Sequence, residues 1–109
     1  VNPDGIKAQV EGSLLWGLSN ALLEKMTLEE GAVAERNFDS YKWQNITKLP
    51  EIEIHIVENG VYPSGVGEPA TCAVAPAIGN AIYNATSVRL RSLPFSREEL
   101  FEGLEKIST

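Results

Sequence analysis

Ile6, Val10, Leu14, Leu18 and Leu22 stand four residues apart without a break. That spacing stacks apolar side chains on one helical face. The chain is therefore predicted to open with a helix over 5–25, after the turn signal Asn2-Pro3-Asp4-Gly5, with Asp4 as its N-terminal cap. Leu15, Trp16 and Ala21 widen the stripe, which predicts burial on more than one side. Gly12 and Gly17 interrupt it. A glycine inside a helix costs about 1 kcal/mol relative to alanine, so each marks either tight helix packing or a backbone or ligand at close range.

A second helical pattern runs through Val74, Ile78, Ala81, Ile82 and Ala85 to about Thr86 and is rich in alanine, which favours a small interaxial distance. Pro76 removes a helical hydrogen bond, so the regular helix is predicted to begin there, with 69–75 as loop. Cys72 falls in that loop and is expected to be an inert buried thiol rather than a reactive one. A third helix opens at Ser96, with Glu99 completing a capping box and Leu100, Leu104 and Ile107 facing inward.

Between the helices the period shortens. Residues 26–37 are predicted to form a hairpin turning at Gly31, and 51–58 a strand with Ile52, Ile54 and Ile56 on one face and Glu51, Glu53 and His55 on the other. His55 is then a solvated or paired side chain. Asn59-Gly60 marks a turn, and 88–93 reads as a short edge strand ended by Pro94. Phe38, Tyr41 and Trp43 either pack in a core or interface or line a substrate pocket. The fold class is α+β, with two long helices and a capped C-terminal helix packed on a small, mostly antiparallel sheet.

With 109 residues, the chain is expected to form a single domain, 1–109. A net charge of −6 with scattered Lys and Arg argues against nucleic acid as a partner, and no apolar run is long enough to span a bilayer. A single cysteine excludes an internal disulfide. The start at Val1, with no initiator Met or signal segment, reads as an excised fragment or a processed product.

The stretch that carries chemistry is Gly65-Val66-Gly67-Glu68-Pro69. Its two glycines allow backbone to approach a ligand, and Pro69 suits a first helical position. Glu68 then lies near a helix N-cap, where the carboxylate is either a general base or a plain cap. Gln9, off the apolar stripe near the start of the first helix, is either a surface amide or a group that donates and accepts hydrogen bonds at once.

These motifs, with Gln9-Val10-Glu11-Gly12, Phe38-Asp39-Ser40-Tyr41 and the run from Ala75 to Ile82, resemble the large, molybdenum-binding subunit of the xanthine oxidase family of molybdenum hydroxylases. The resemblance covers residues 1–95. In finer detail, the runs 50–57 and 89–94 look like the isoquinoline 1-oxidoreductase beta subunit and its aldehyde dehydrogenase branch. The resemblance implies the C-terminal part of a molybdopterin-binding catalytic subunit that hydroxylates an N-heteroaromatic or oxidises an aldehyde with water-derived oxygen. Glu68 inherits the role of general base, Gln9 that of a hydrogen-bonding contact to the pterin. Gly65 and Gly67 become places where backbone passes close to the cofactor, and Gly12 a point of close packing near it. No residue of this chain is named as a metal ligand. The implied cofactor is molybdenum-molybdopterin in its cytosine dinucleotide form. The implied partners are the rest of the large subunit, a small iron–sulfur subunit carrying [2Fe-2S] clusters and a small-molecule substrate, in a bacterial cytoplasm or periplasm. Family members are several times longer, so the isolated chain is expected to be inactive and to self-associate through uncovered apolar surface. The competing reading is a non-catalytic interaction or scaffold domain in which Glu68 is only a helix cap.

Overall fold

The computed structural model describes residues 2–45, 47 and 49–108. Its first helix, α1 (Pro3–Leu22), begins earlier than the apolar spacing indicates. Asn2, not Asp4, is the cap: its side-chain oxygen accepts from the N–H groups of Asp4 at 3.0 Å and Gly5 at 3.4 Å. Pro3 then takes the first helical position, where a missing N–H costs nothing. The helix stops short of Lys25 because Leu23 leaves helical backbone, and its N–H and that of Glu24 both converge on the Ser19 carbonyl.

The predicted hairpin is present. β1 (Leu28–Glu29) and β2 (Ala32–Val33) pair antiparallel, Leu28 opposite Val33 and Glu29 opposite Ala32. Glu30 and Gly31 both adopt positive φ, 51° and 82°, the backbone of a two-residue turn whose twist matches its strands. These are the only paired strands among the described residues. Residues 51–58 join no ladder, and neither do 88–93. Side-chain alternation survives in both: Ile52 and Ile54 are half-buried while Glu51, Glu53 and His55 are exposed, and Val88 and Leu90 are buried while Arg89 is exposed. What is missing is a neighbour to take the backbone hydrogen bonds. Ile56 is exposed with the polar face.

The second helix, α2 (Thr71–Thr86), runs straight through Pro76 and ends at Ser87 in left-handed backbone. The proline comes soon after the first turn, so it forfeits one bond, to the Cys72 carbonyl, rather than breaking an established ladder. Residues 71–75 are thus helical, not loop, and Cys72 is exposed, not buried. The last helix, α3 (Arg97–Ile107), has Ser96 as its N-cap as predicted, its hydroxyl accepting from the Glu99 N–H at 3.1 Å, but among the described residues no bond to the Glu99 side chain completes the capping box. Leu100 and Leu104 are half-buried, but Ile107 at the last helical position is exposed.

The core lies where α1 meets α2. Contrary to the apolar stripe, the buried face of α1 is made of small residues, Ser13, Gly17, Ser19 and Ala21, because these let a second backbone come close. A Cβ built on Gly17 would stand 2.7 Å from Val74 Cγ2 and 3.0 Å from the Thr71 carbonyl oxygen. Gly17 therefore marks helix packing. Leu14, Leu15 and Leu18 are half-buried over a hollow of 290 Å³ shared with Ile52, Val74 and Ile78. The Phe95 N–H donates to the Ala21 carbonyl at 2.8 Å, the Phe95 ring covers buried Gly79, and Val88 sits against Gly103 of α3. Ala21, Val88 and Leu90 are the buried apolar residues among those described. The Cα radius of gyration is 17.4 Å, against about 13 Å for a compact domain of this length.

Candidate functional site

The Gly-rich stretch follows a turn in which Gly60 has φ of 71° and the Val61 N–H donates to the Asn59 side chain at 3.1 Å. Neither Gly65 nor Gly67 has positive φ. Their value is space rather than backbone freedom. A Cβ on Gly67 would stand 3.1 Å from Gln9 Oε1, whereas one on Gly65 would meet nothing within 4 Å. Gln9, on the exposed side of α1 in its second turn, thus lies directly beside the backbone that leads into Glu68.

Glu68 enters α2 differently from the sequence expectation. The Thr71 N–H donates to the Glu68 carbonyl at 3.0 Å and the Ala73 N–H to the Ala70 carbonyl at 3.3 Å, a tight i→i−3 entry. Ala70 is the N-cap, in helical backbone, and no side chain caps the helix. Pro69 consequently precedes the helix instead of starting it, and Glu68 is not a cap. The Glu68 carboxylate is exposed and has no hydrogen-bond partner among the described residues. It lines an open hollow of 600 Å³ with Gly65, Gly67, Pro69 and Cys72.

Of the residues singled out from sequence, Gln9, Gly65, Gly67 and Glu68 come together here, with Gln9 at the edge through its contact with Gly67. Gly12 does not belong to any close contact: a Cβ there would meet nothing within 4 Å. The aromatic cluster also stands apart. Phe38 and Trp43 meet each other at 4.8 Å between ring centroids, both exposed, and Trp43 lines a different hollow with Leu15, Trp16 and Leu49. Tyr41 donates from its hydroxyl to Glu24 at 2.8 Å, which raises its pKa above the ordinary phenol range. His55 pairs with Glu53 at 3.0 Å, largely in solvent, as the polar face of 51–58 foretold. Among the described residues no group of three or more His, Cys, Asp and Glu is arranged to hold a metal, and no helix is long and apolar enough to cross a membrane.

Sequence reasoning passed over Thr71. Its hydroxyl donates to the Ser13 carbonyl at 3.1 Å, tying the first residue of α2 to the middle of α1. The acceptor is main chain, so no side-chain pattern announces the pair.

Residues 1–50, which include Gln9, match the family described as Molybdopterin cofactor-binding domain. The chain is 45% identical over 105 residues to the membrane-bound aldehyde dehydrogenase (pyrroloquinoline-quinone) of Gluconacetobacter polyoxogenes, covering 96% of this chain and 14% of that protein. It is 34% identical over 109 residues to the xanthine dehydrogenase molybdenum-binding subunit of Escherichia coli, 94% of this chain and 14% of the relative. Against the isoquinoline 1-oxidoreductase subunit beta of Brevundimonas diminuta the identity is 38% over 92 residues, 84% of this chain and 12% of the relative. The chain therefore spans only a small part of the length of these relatives.

Proposed function

Because the chain belongs to the molybdenum-binding subunits of the xanthine oxidase family, we propose that it forms one wall of a molybdopterin site in a longer oxidoreductase subunit, with Glu68 as general base and Gln9 as a cofactor contact. The observation that carries this reading is convergence. Glu68 lines an open hollow with Gly65 and Gly67, Gln9 Oε1 reaches within 3.1 Å of the Cβ position of Gly67, and the Glu68 carboxylate is not used as a helix cap. The cap role that the scaffold alternative gives Glu68 finds no side-chain hydrogen bond at the start of α2.

The residues fit the group. A carboxamide both donates and accepts, as a pterin edge requires, and the open space over Gly65 leaves room for a planar ring system. No metal-ligand cluster is needed from this chain when the metal arrives with its cofactor. Bound there, the molybdenum cofactor supplies two-electron redox chemistry. Gln9 Oε1 and Nε2 hold and orient it, and Gly65 and Gly67 let backbone come near. A Glu68 carboxylate oxygen accepts the proton released as water-derived oxygen passes to an N-heteroaromatic ring or an aldehyde. The relatives named for isoquinoline, xanthine and aldehydes support that substrate range. In the assembled enzyme the cofactor is the cytosine dinucleotide form and electrons leave through [2Fe-2S] clusters on a small subunit, as the family resemblance implies. The isolated chain presents the hollow from one side only and is inactive, and exposed Trp16, Phe38 and Phe101 make it self-associate.

The Gluconacetobacter relative carries pyrroloquinoline quinone in its name, so cofactor analysis is the test. In the intact subunit, Gln9→Leu is expected to lower molybdenum and pterin content together while Glu68→Gln keeps both. Wild-type subunit that carries the quinone and no molybdenum would overturn the reading.

A further inference from the structure

The proposed base and the proposed cofactor contact stand on different helices, so their separation is set by whatever fixes α2 on α1. Glu68 lies less than one turn before Thr71, and Gln9 lies one turn of α1 before Ser13. Between those two levels runs the bond from Thr71 Oγ1 to the Ser13 carbonyl, 3.1 Å long and half-buried. The Thr71 hydroxyl and N–H bond to the two sides of this joint, and its carbonyl oxygen packs close to α1. Its N–H donates to the Glu68 carbonyl at 3.0 Å, and its carbonyl oxygen is 3.0 Å from the place a Gly17 Cβ would take.

We propose that Thr71 is a positioning residue of the site: its hydroxyl, by holding the first turn of α2 against Ser13, fixes Glu68 relative to Gln9. The inference rests on the roles given above to Glu68 and Gln9. The contact of Val74 with Gly17 resists translation of α2 but not a pivot about that point, and the hydroxyl lies on the Glu68 side of it. Without the hydroxyl the first turn loses its hydrogen bond to α1, and any swing of that turn carries Glu68 with it. A displacement of about 1 Å at a reacting group lowers rate by about 100-fold. Gly67 completes the arrangement, because the Gln9 amide already rests at 3.1 Å from its Cβ position. A swing of the first turn of α2 therefore changes the distance from this backbone to Gln9.

The test uses the intact subunit with its electron-transfer partner, comparing wild type, Thr71→Val, Thr71→Ser and Glu68→Gln for molybdenum content, kcat and KM. Valine keeps the shape of threonine without its hydroxyl, and serine keeps the hydroxyl without the methyl. Expected for Thr71→Val is a kcat lowered by about 10- to 100-fold, with molybdenum content and KM near wild type, and for Thr71→Ser a kcat near wild type. The proposal is overturned by wild-type kcat in Thr71→Val, by equal impairment of Thr71→Ser, or by loss of molybdenum in Thr71→Val. If Thr71→Val does not accumulate, Thr71→Ala replaces it, and failure of both to fold reduces the hydroxyl to a structural role and equally overturns the assignment. Glu68→Gln separates the two levels. Full activity in that variant removes the base and the positioning role with it, whereas an inactive Glu68→Gln beside a normal Thr71→Val removes the positioning role alone.

Discussion

Adding one methyl group to α1 should give opposite results at two glycines five residues apart. At Gly17 a new Cβ meets Val74 Cγ2 at 2.7 Å, Val74 Cβ at 2.9 Å and the Thr71 carbonyl oxygen at 3.0 Å. Val74 Cβ is bonded directly to the backbone of α2 and the Thr71 oxygen belongs to it, so neither can rotate away, and the helices must part. Overpacking of this kind costs about 1–3 kcal/mol, and the fixed neighbours place it near the top of that range. Alanine returns about 1 kcal/mol of helix propensity, leaving a net loss of about 2 kcal/mol. At Gly12, where a Cβ meets nothing within 4 Å, only the gain of about 1 kcal/mol remains. Urea unfolding of the 109-residue chain, followed by far-ultraviolet circular dichroism, should show the two midpoints moving in opposite directions at constant slope. A Gly17→Ala variant as stable as Gly12→Ala would refute the close crossing of α1 and α2.

Two further outcomes follow from the hairpin and the unpaired strand. Thr27 donates to the Glu35 carboxylate from its N–H at 2.7 Å and from its hydroxyl, and the hydroxyl bond, more than any other contact, holds the Glu35 pKa below the ordinary carboxylate value. Since the folded value is the lower one, this link stabilises the hairpin fully above the ordinary range and is lost as pH falls through the depressed value. Amide shifts of Thr27 should therefore titrate below the ordinary carboxylate range and be steady above it, and a Thr27 amide with no acid transition would contradict the pairing. Residues 52–57, which join no ladder here, should exchange amide hydrogens rapidly in the isolated chain and slowly within the intact subunit. Equal rates would show that the longer protein supplies no neighbouring strand.

Periodicity made the three helices legible, because each announces itself within its own sequence. Their ends were harder. Asn2 and Asp4 are both good caps, and Pro3 decides between them by fitting the first helical position. The leucine stripe of α1 read as the core face, yet close approach of two backbones selected Ser13, Gly17 and Ala21 instead, which hydrophobicity alone does not rank. At 51–58 and 88–93 the alternation gave the correct side-chain faces in most positions but not a partner, since pairing is a long-range property. The Gly-Glu stretch located the hollow, while the i→i−3 entry into α2 displaced Glu68 from the cap position that local spacing assigned it. Gln9 was legible through family resemblance. Its contact with Gly67 and the bond from Thr71 to Ser13 join residues far apart in the chain, and only the folded molecule brings them together.

The central claim is that the Glu68 carboxylate takes a proton in the reaction. Its most direct test is turnover of the intact subunit, wild type against Glu68→Gln, with aldehydes and N-heteroaromatics and an artificial electron acceptor, molybdenum being measured in both. The account predicts equal molybdenum and a kcat lower by about 10²- to 10⁴-fold, the usual contribution of a general base. Equal molybdenum with unchanged kcat would contradict it and leave Glu68 a bystander at the edge of the hollow.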